Sequence, residues 1–255
     1  MLLEGKRGVI LGLANKWSLA WGIAKSVHGA GAQLLITYQN ERLQKNALEL
    51  SGSLAGSETL MCDVADDKHL AALAEQIKTK WGGLDFFVHA IAFAQKEDLE
   101  GDYLKVSREG FKTAHDVSAY SLTALARTLG PLMEGRGGSI VTLTFDGSQR
   151  VFPNYNVMGV AKASLEASVR YLASDLGPKN VRVNAISAGP VKTASAAGVT
   201  GFSKMLDIMR ERSPLKRNID AGEVGDAALF LLSPMSRGIT GQILYVDSGY
   251  HITGM

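Results

Sequence analysis

Seven short runs of aliphatic and β-branched residues recur along the whole chain with longer amphipathic stretches between them, and few architectures tolerate that rhythm. Strands are predicted near Arg7 to Gly12, Gln33 to Tyr38, Glu58 to Cys62, Leu84 to Ala90, Ser139 to Thr144, Val181 to Ser187 and Gln242 to Val246. Apolar residues three and four apart mark helices over Ser18 to Ala30, Lys68 to Trp81, Phe111 to Glu134, Tyr155 to Leu176 and Gly222 to Leu232. Strands joined through helices run parallel, and right-handed crossovers lay the helices on both faces. The expectation is an α/β fold, a single doubly wound domain over residues 1–255 with a seven-stranded parallel sheet. No linker, low-complexity stretch or repeat interrupts the pattern.

The two widest gaps, Ile91 to Gly110 and Ala188 to Phe202, each follow the carboxyl end of a strand. Open parallel sheets bind ligands at that edge. Segments near 91–110 and 188–212 are therefore expected to cover a binding site.

Composition removes several function classes. With 46% hydrophobic and 20% charged residues and a formal net charge of +2, the chain reads as an ordinary globule without the basic stripe that nucleic acid requires. Its single cysteine, Cys62, excludes an intrachain disulfide and a thiol metal cluster, so no metal is expected. No apolar run approaches the roughly 18 residues of a membrane span, and Met1 to Gly5 lacks the basic and apolar regions of a signal peptide. A cytoplasmic location is the expectation.

Chemistry begins where the first strand ends. Gly12-Leu13-Ala14-Asn15-Lys16-Trp17-Ser18 turns directly into a helix, whose free N–H groups suit a pyrophosphate. Gly12 permits the turn, Gly22 allows close helix packing, and the Ser18 hydroxyl either caps the helix or donates to phosphate. Asp63-Val64 follows the third strand, where the carboxylate can accept from an adenine amino group and Val64 can pack on the ring; Asp63 or Asp66 can equally cap the next helix. After the second strand, Gln39 and Asn40 are neutral amides suited to free ribose hydroxyls, which favours NADH over NADPH, with Arg42 the one cation nearby.

The segment Pro153-Asn154-Tyr155-Asn156-Val157-Met158-Gly159-Val160-Ala161-Lys162 resembles the signature of enoyl-acyl-carrier-protein reductases within the short-chain dehydrogenase superfamily. Gly12 through Trp21 is similar to that family's modified glycine loop. His89-Ala90-Ile91-Ala92-Phe93-Ala94, Ala188 to Thr193 and Tyr245 to Tyr250 resemble its later strand endings. The resemblance covers essentially the whole chain and implies a Rossmann-like fold, NADH as cofactor, an enoyl thioester on acyl carrier protein as substrate, and a homotetramer. It places Gly12, Ser18, Leu19, Gln39, Asp63, Val64, Ile91, Lys162, Val191 and Thr193 on the cofactor. Ala94, Phe145 and Tyr155 fall on the substrate, with Tyr155 and Lys162 catalytic.

The spacing of that pair has its own meaning. Seven positions are about two helical turns, so Tyr155 and Lys162 share a side yet lie roughly 10 Å apart along the axis, too far for a direct hydrogen bond. Ketone-reducing relatives carry the tyrosine one turn from the lysine, where the ammonium lowers the phenol's pKa. Here that position is Met158, which has no proton to give. Enoyl reduction needs a neutral donor toward the thioester oxygen, which Tyr155 provides, while Lys162 is expected on the nicotinamide ribose.

Two departures bear on function. Many family members carry a second tyrosine where this chain has Phe145, a ring that packs and cannot donate. The neighbouring Asp146 is expected to order a loop. Lys204, with Arg210, Lys216 and Arg217, forms a candidate patch for an acidic carrier protein or a solvated helix face. Two other functions stay open: a ketoreductase or hydroxy-dehydrogenase of the same fold, and a non-catalytic dinucleotide sensor.

Overall fold

Seven parallel strands form one sheet in the order β3-β2-β1-β4-β5-β6-β7. The computed structural model describes residues 1–193 and 200–254. The strands are β1 Arg7–Leu11, β2 Gln33–Tyr38, β3 Glu58–Met61, β4 Phe86–His89, β5 Ser139–Thr144, β6 Arg182–Ala188 and β7 Ile243–Val246. Each predicted strand is present: β2 and β5 have the expected bounds, β6 is shifted by one residue, and the others are shorter by one to three residues. Leu11 pairs with His89 and Thr144 with Ser187, so the carboxyl ends of the central strands share one edge. Chain order reverses between β1 and β4, the position where such sheets open a crevice.

Two apolar layers clothe the sheet. On one face α1 (Leu19–Gly29) and α8 (Ala221–Leu232) pack with Ile10, Ile36, Val88 and Ile186. On the other, α3 (Asp67–Trp81), α5 (Ser121–Leu129) and α6 (Asn156–Leu176) meet Val9, Phe87, Ile140 and Val183. Inner strands read as continuous apolar runs because both sides are covered. Gly22 performs as expected: a Cβ there would lie 2.3 Å from the Ala221 carbonyl oxygen, so its absence lets α1 and α8 touch.

Three elements differ from the periodicity. Helix α2 (Glu41–Gly52) follows β2, where the amphipathic stretch is too polar to stand out. The stretch predicted as one helix over Phe111 to Glu134 is α4 (Arg108–His115), a π-helical turn at Asp116–Tyr120 and α5, ending in a 3-10 turn at Gly130–Leu132. Tyr155 precedes the first residue of α6, since Pro153 and Asn154, the latter at φ 60°, turn the chain into the helix there. Beyond β6, Val191 to Thr193 carry no regular secondary structure and α7 (Phe202–Arg212) lies further on; positions 194–199 of the expected 188–212 cover lie outside the described residues.

Candidate active site

A cavity of about 640 Å³ opens at the carboxyl edge of the sheet. That volume falls within the range of small-molecule sites. Every residue that the resemblance places on cofactor or substrate lines it: Gly12, Ser18, Leu19, Gln39, Asp63, Val64, Ile91, Ala94, Phe145, Tyr155, Lys162, Val191 and Thr193; Asn40 and the candidate docking residues Lys204, Arg210, Lys216 and Arg217 do not.

At one end, β1 turns into α1. Gly12 adopts φ 96°, and a Cβ there would sit 2.2 Å from the Ala90 carbonyl oxygen, so only glycine lets β1 and β4 end side by side. Ser18 caps α1 by accepting from the Trp21 amide at 3.2 Å, and it donates to the Asn15 carbonyl at 2.7 Å, which holds the loop in shape. Gln39 donates from Nε2 to Asp63 Oδ2 at 3.3 Å, joining the ends of β2 and β3. Asp66 caps α3, and Asp63 accepts from the Ala65 amide while facing the cavity.

At the other end, Lys162 is 5% exposed and donates from Nζ to the Leu143 carbonyl at 2.8 Å. Burial pushes its ammonium down to about 8, against an opposing pull from the Glu166 carboxylate. Tyr155 lines the cavity, and its hydroxyl has no hydrogen-bond partner among the described residues. Burial holds its phenol above the ordinary tyrosine range, so it is a neutral donor at neutral pH. The Phe145 ring meets Tyr155 edge-on at 5.0 Å and Phe152 at 4.8 Å. Gly147 makes room for this arrangement, since a Cβ would lie 2.6 Å from the Tyr155 ring. Met158, one turn from Lys162, faces the same cavity with a thioether.

Other cavity residues escaped the sequence reading. The π-helical turn puts Val117 on the cavity wall and aims Ser118 at the strand-four loop, where Ser118 Oγ accepts from the Phe93 amide at 2.9 Å and donates to the Phe93 carbonyl at 3.0 Å. Such turns recur at functional sites, but their extra residue leaves no mark in a three-and-four periodicity. Beneath them His89 is fully buried between Thr142 Oγ1 and Ser121 Oγ, each at 2.8 Å from a ring nitrogen, and burial pushes its pKa down to about 3. Ser121 donates to the Val117 carbonyl, so a neutral ring donates to Ser121 and accepts from Thr142, whose single proton is shared between the ring nitrogen and the His89 carbonyl at 3.3 Å. Phe93, Lys96, Leu99, Phe202 and Met205, which lie within the two segments expected to cover the site, also line the cavity.

The comparisons with known proteins agree with this geometry. Residues 12–251 match the model of the family described as Enoyl-(Acyl carrier protein) reductase. The chain belongs to that family. It is 54% identical to the Enoyl-[acyl-carrier-protein] reductase [NADH] FabI of Bacillus subtilis, covering 98% of both chains. The crystal structure of the Bacillus cereus enoyl-acyl carrier protein reductase with NADP+ and indole naphthyridinone superposes with a TM-score of 0.98 at 53% identity, covering 100% of this chain and 99% of that one. The Anaplasma phagocytophilum reductase in complex with NAD gives 0.96 at 49%, covering 100% and 97%. Family membership accounts for the sheet order and makes the β1–α1 turn, Tyr155 and Lys162 the parts to examine for chemistry.

Proposed function

We propose that this protein is an NADH-dependent enoyl-[acyl-carrier-protein] reductase that saturates the trans-2 double bond of enoyl thioesters in fatty-acid elongation. The observation that carries the reading is the occurrence in one cavity of Met158 and a neutral Tyr155 phenol without a hydrogen-bond partner among the described residues. Ketone reduction needs an acid where Met158 stands, whereas a conjugated thioester needs a donor to its oxygen.

The residues present fit a nicotinamide dinucleotide. Lys162 has one hydrogen bond among the described residues and further N–H donors beside the cavity, which suit ribose hydroxyls. The free N–H groups at the start of α1 suit a pyrophosphate, and Asp63 with Val64 an adenine. Gln39 keeps its amide oxygen for a ribose hydroxyl, and the Asp63 carboxylate beside it would repel a 2′-phosphate, which supports NADH. When bound, NADH supplies the hydride. Tyr155 donates to the thioester oxygen as negative charge gathers there, Phe145 and Met158 keep water from that oxygen, and Ala94 borders the acyl portion. Ile91, Val191 and Thr193 line the cavity and would hold the nicotinamide end of the cofactor, the first two through apolar contact and Thr193 through its hydroxyl.

The chain works as one catalytic unit over residues 1–255, with the segments near 91–110 and 188–212 covering the substrate. Acyl carrier protein docks beside α7. Lys204 makes no ion pair among the described residues, whereas Arg210 is paired with Asp207 and Arg217 with Glu223. We place the enzyme in the cytoplasm as a homotetramer; no described helix is long and apolar enough to cross a membrane, and exposed Tyr171, Tyr120 and Phe111 supply apolar area for subunit contact. Light scattering checks the assembly.

Purified protein given NADH with crotonyl and acetoacetyl thioesters tests the reaction. Preferential turnover of the crotonyl substrate is expected. Faster turnover of the keto substrate would establish a ketoreductase, and tight NADH binding without turnover of either would establish a sensor.

A further inference from the structure

Glu166 is 1% exposed and does not line the cavity, yet it places a carboxylate among the buried positions of α6, which also include Ala161, Leu165 and Val169. A buried charge is tolerated only with its lone pairs satisfied and a compensating charge close by. Three neutral donors satisfy it: Thr144 Oγ1 at 2.7 Å, Ser148 Oγ at 2.5 Å and Gln149 Nε2 at 2.8 Å. All three lie on the end of β5 and the turn after it, the segment that carries Phe145. One helical turn toward the N-terminus, Lys162 donates to Leu143 on the same strand. The two side chains thus clamp α6 to residues 143–149 on both sides of Phe145.

We propose that Glu166 is a positioning residue, whose buried carboxylate fixes the turn bearing Phe145 and balances the Lys162 ammonium that binds the cofactor. The proposal rests on the reading of Lys162 as the ribose-binding cation. Other charged or titratable groups around the site are Tyr155 at the head of α6, His89 on β4, Asp146 and Arg150 on the turn, and Tyr245, Asp247 and His251 at the C-terminal strand. Arg150 lies 3.7 Å from Asp146, and His251 pairs with Asp247 at 2.9 Å. Glu166 is the carboxylate whose field reaches Lys162. Without it, burial alone would act on the ammonium, and Lys162 would release its proton at lower pH.

The test is the pH profile of NADH binding, followed by fluorescence titration from pH 6 to 10. In wild type, affinity should fall as pH rises through about 8, where Lys162 loses its charge. E166Q keeps the shape and an acceptor oxygen but removes the charge, so its decline should begin about one pH unit lower; affinity near pH 6 should stay within about 2-fold, while at pH 8.5 it should be weaker by about 10-fold. In a Lys162→Met background the same change should have no further effect. Thr144→Val with Ser148→Ala leaves the charge and loosens the turn, so KM for the enoyl thioester should rise without movement of the NADH profile. Should E166Q fail to fold, E166D retains the charge one methylene further back, and a shift in the same direction but smaller is expected. Superposable profiles for wild type and either variant would overturn the proposal. A protein with the expected NADH profile that reduces no enoyl thioester would support the role of Glu166 and overturn the reaction assigned above.

Discussion

At the floor of the cavity and just beneath it, Lys162, Glu166 and His89 are at most 5% exposed, and each is hydrogen-bonded to strand β5 or the turn beyond it. Across the lid, Asn156 Nδ2 donates to the Gly101 carbonyl at 3.0 Å, Asn154 Nδ2 to the Thr200 carbonyl at 2.9 Å, and Thr200 to Glu100, all open to solvent. Both regions use polar contacts, but water can replace only those of the lid. Breaking a floor contact strands a buried group at full desolvation cost, whereas a broken lid contact exchanges for water at little net loss. A rigid floor beneath exchangeable surface contacts suits a site that must hold a cofactor ring in one place and admit an enoyl thioester.

Tyr155→Phe sharpens the contrast most. Removal of one donor from a developing oxyanion should lower kcat by about 100-fold, with NADH affinity within about 3-fold, as steady-state kinetics and NADH titration would register. An unchanged rate would remove Tyr155 from the chemistry.

Lys162→Ala comes next. It should weaken NADH binding by about 100-fold, because charged hydrogen bonds to the ribose are lost, and any fall in kcat at saturating NADH should be smaller. Equal loss in both would mean that Lys162 acts on the reacting atoms as well.

His89 tests the floor through stability. Its folded pKa of about 3 lies below the unfolded 6.5, so the folded state binds fewer protons between those values. Stability supplied by the neutral ring is present above pH 6.5 and is lost as pH falls toward 3, by on the order of a few kcal/mol. Urea midpoints at pH 7 and 4 should therefore differ less in His89→Gln than in wild type.

The smallest effect belongs to the lid. Asn156→Ala should raise KM for the enoyl thioester by about 2- to 3-fold and leave NADH binding unaltered. A loss as large as that of Lys162→Ala would break the distinction between floor and lid.

Legibility in the sequence followed the range of the interactions. Gly12, Ser18, Gln39 and Asp63 stand at strand ends, and strand ends follow from local periodicity, so a one-dimensional pattern was enough to name them. Tyr155 and Lys162 were legible because seven positions on one helix fix their separation within the helix itself. Glu166 had a visible signal, a lone carboxylate on an apolar helical stripe four residues from Lys162, but its partners Thr144, Ser148 and Gln149 lie on another element. The π-helical turn left no such signal. Its added residue shifts the phase of a helix whose apolar positions still look regular, and with that shift Val117 reaches the cavity and Ser118 meets the Phe93 backbone.

By itself the sequence determined the order of strands and helices, the edge of the sheet where ligands gather, and the absence of an acid at Met158. These depend on residue type and spacing, which are local quantities. Tertiary structure alone decided the burial of Lys162 and of the Tyr155 hydroxyl, the neutrality of His89, and the clamp of Glu166 onto the Phe145 turn. Each of those depends on how much water neighbouring elements exclude from a charge, and exclusion is set by packing between segments distant in the chain.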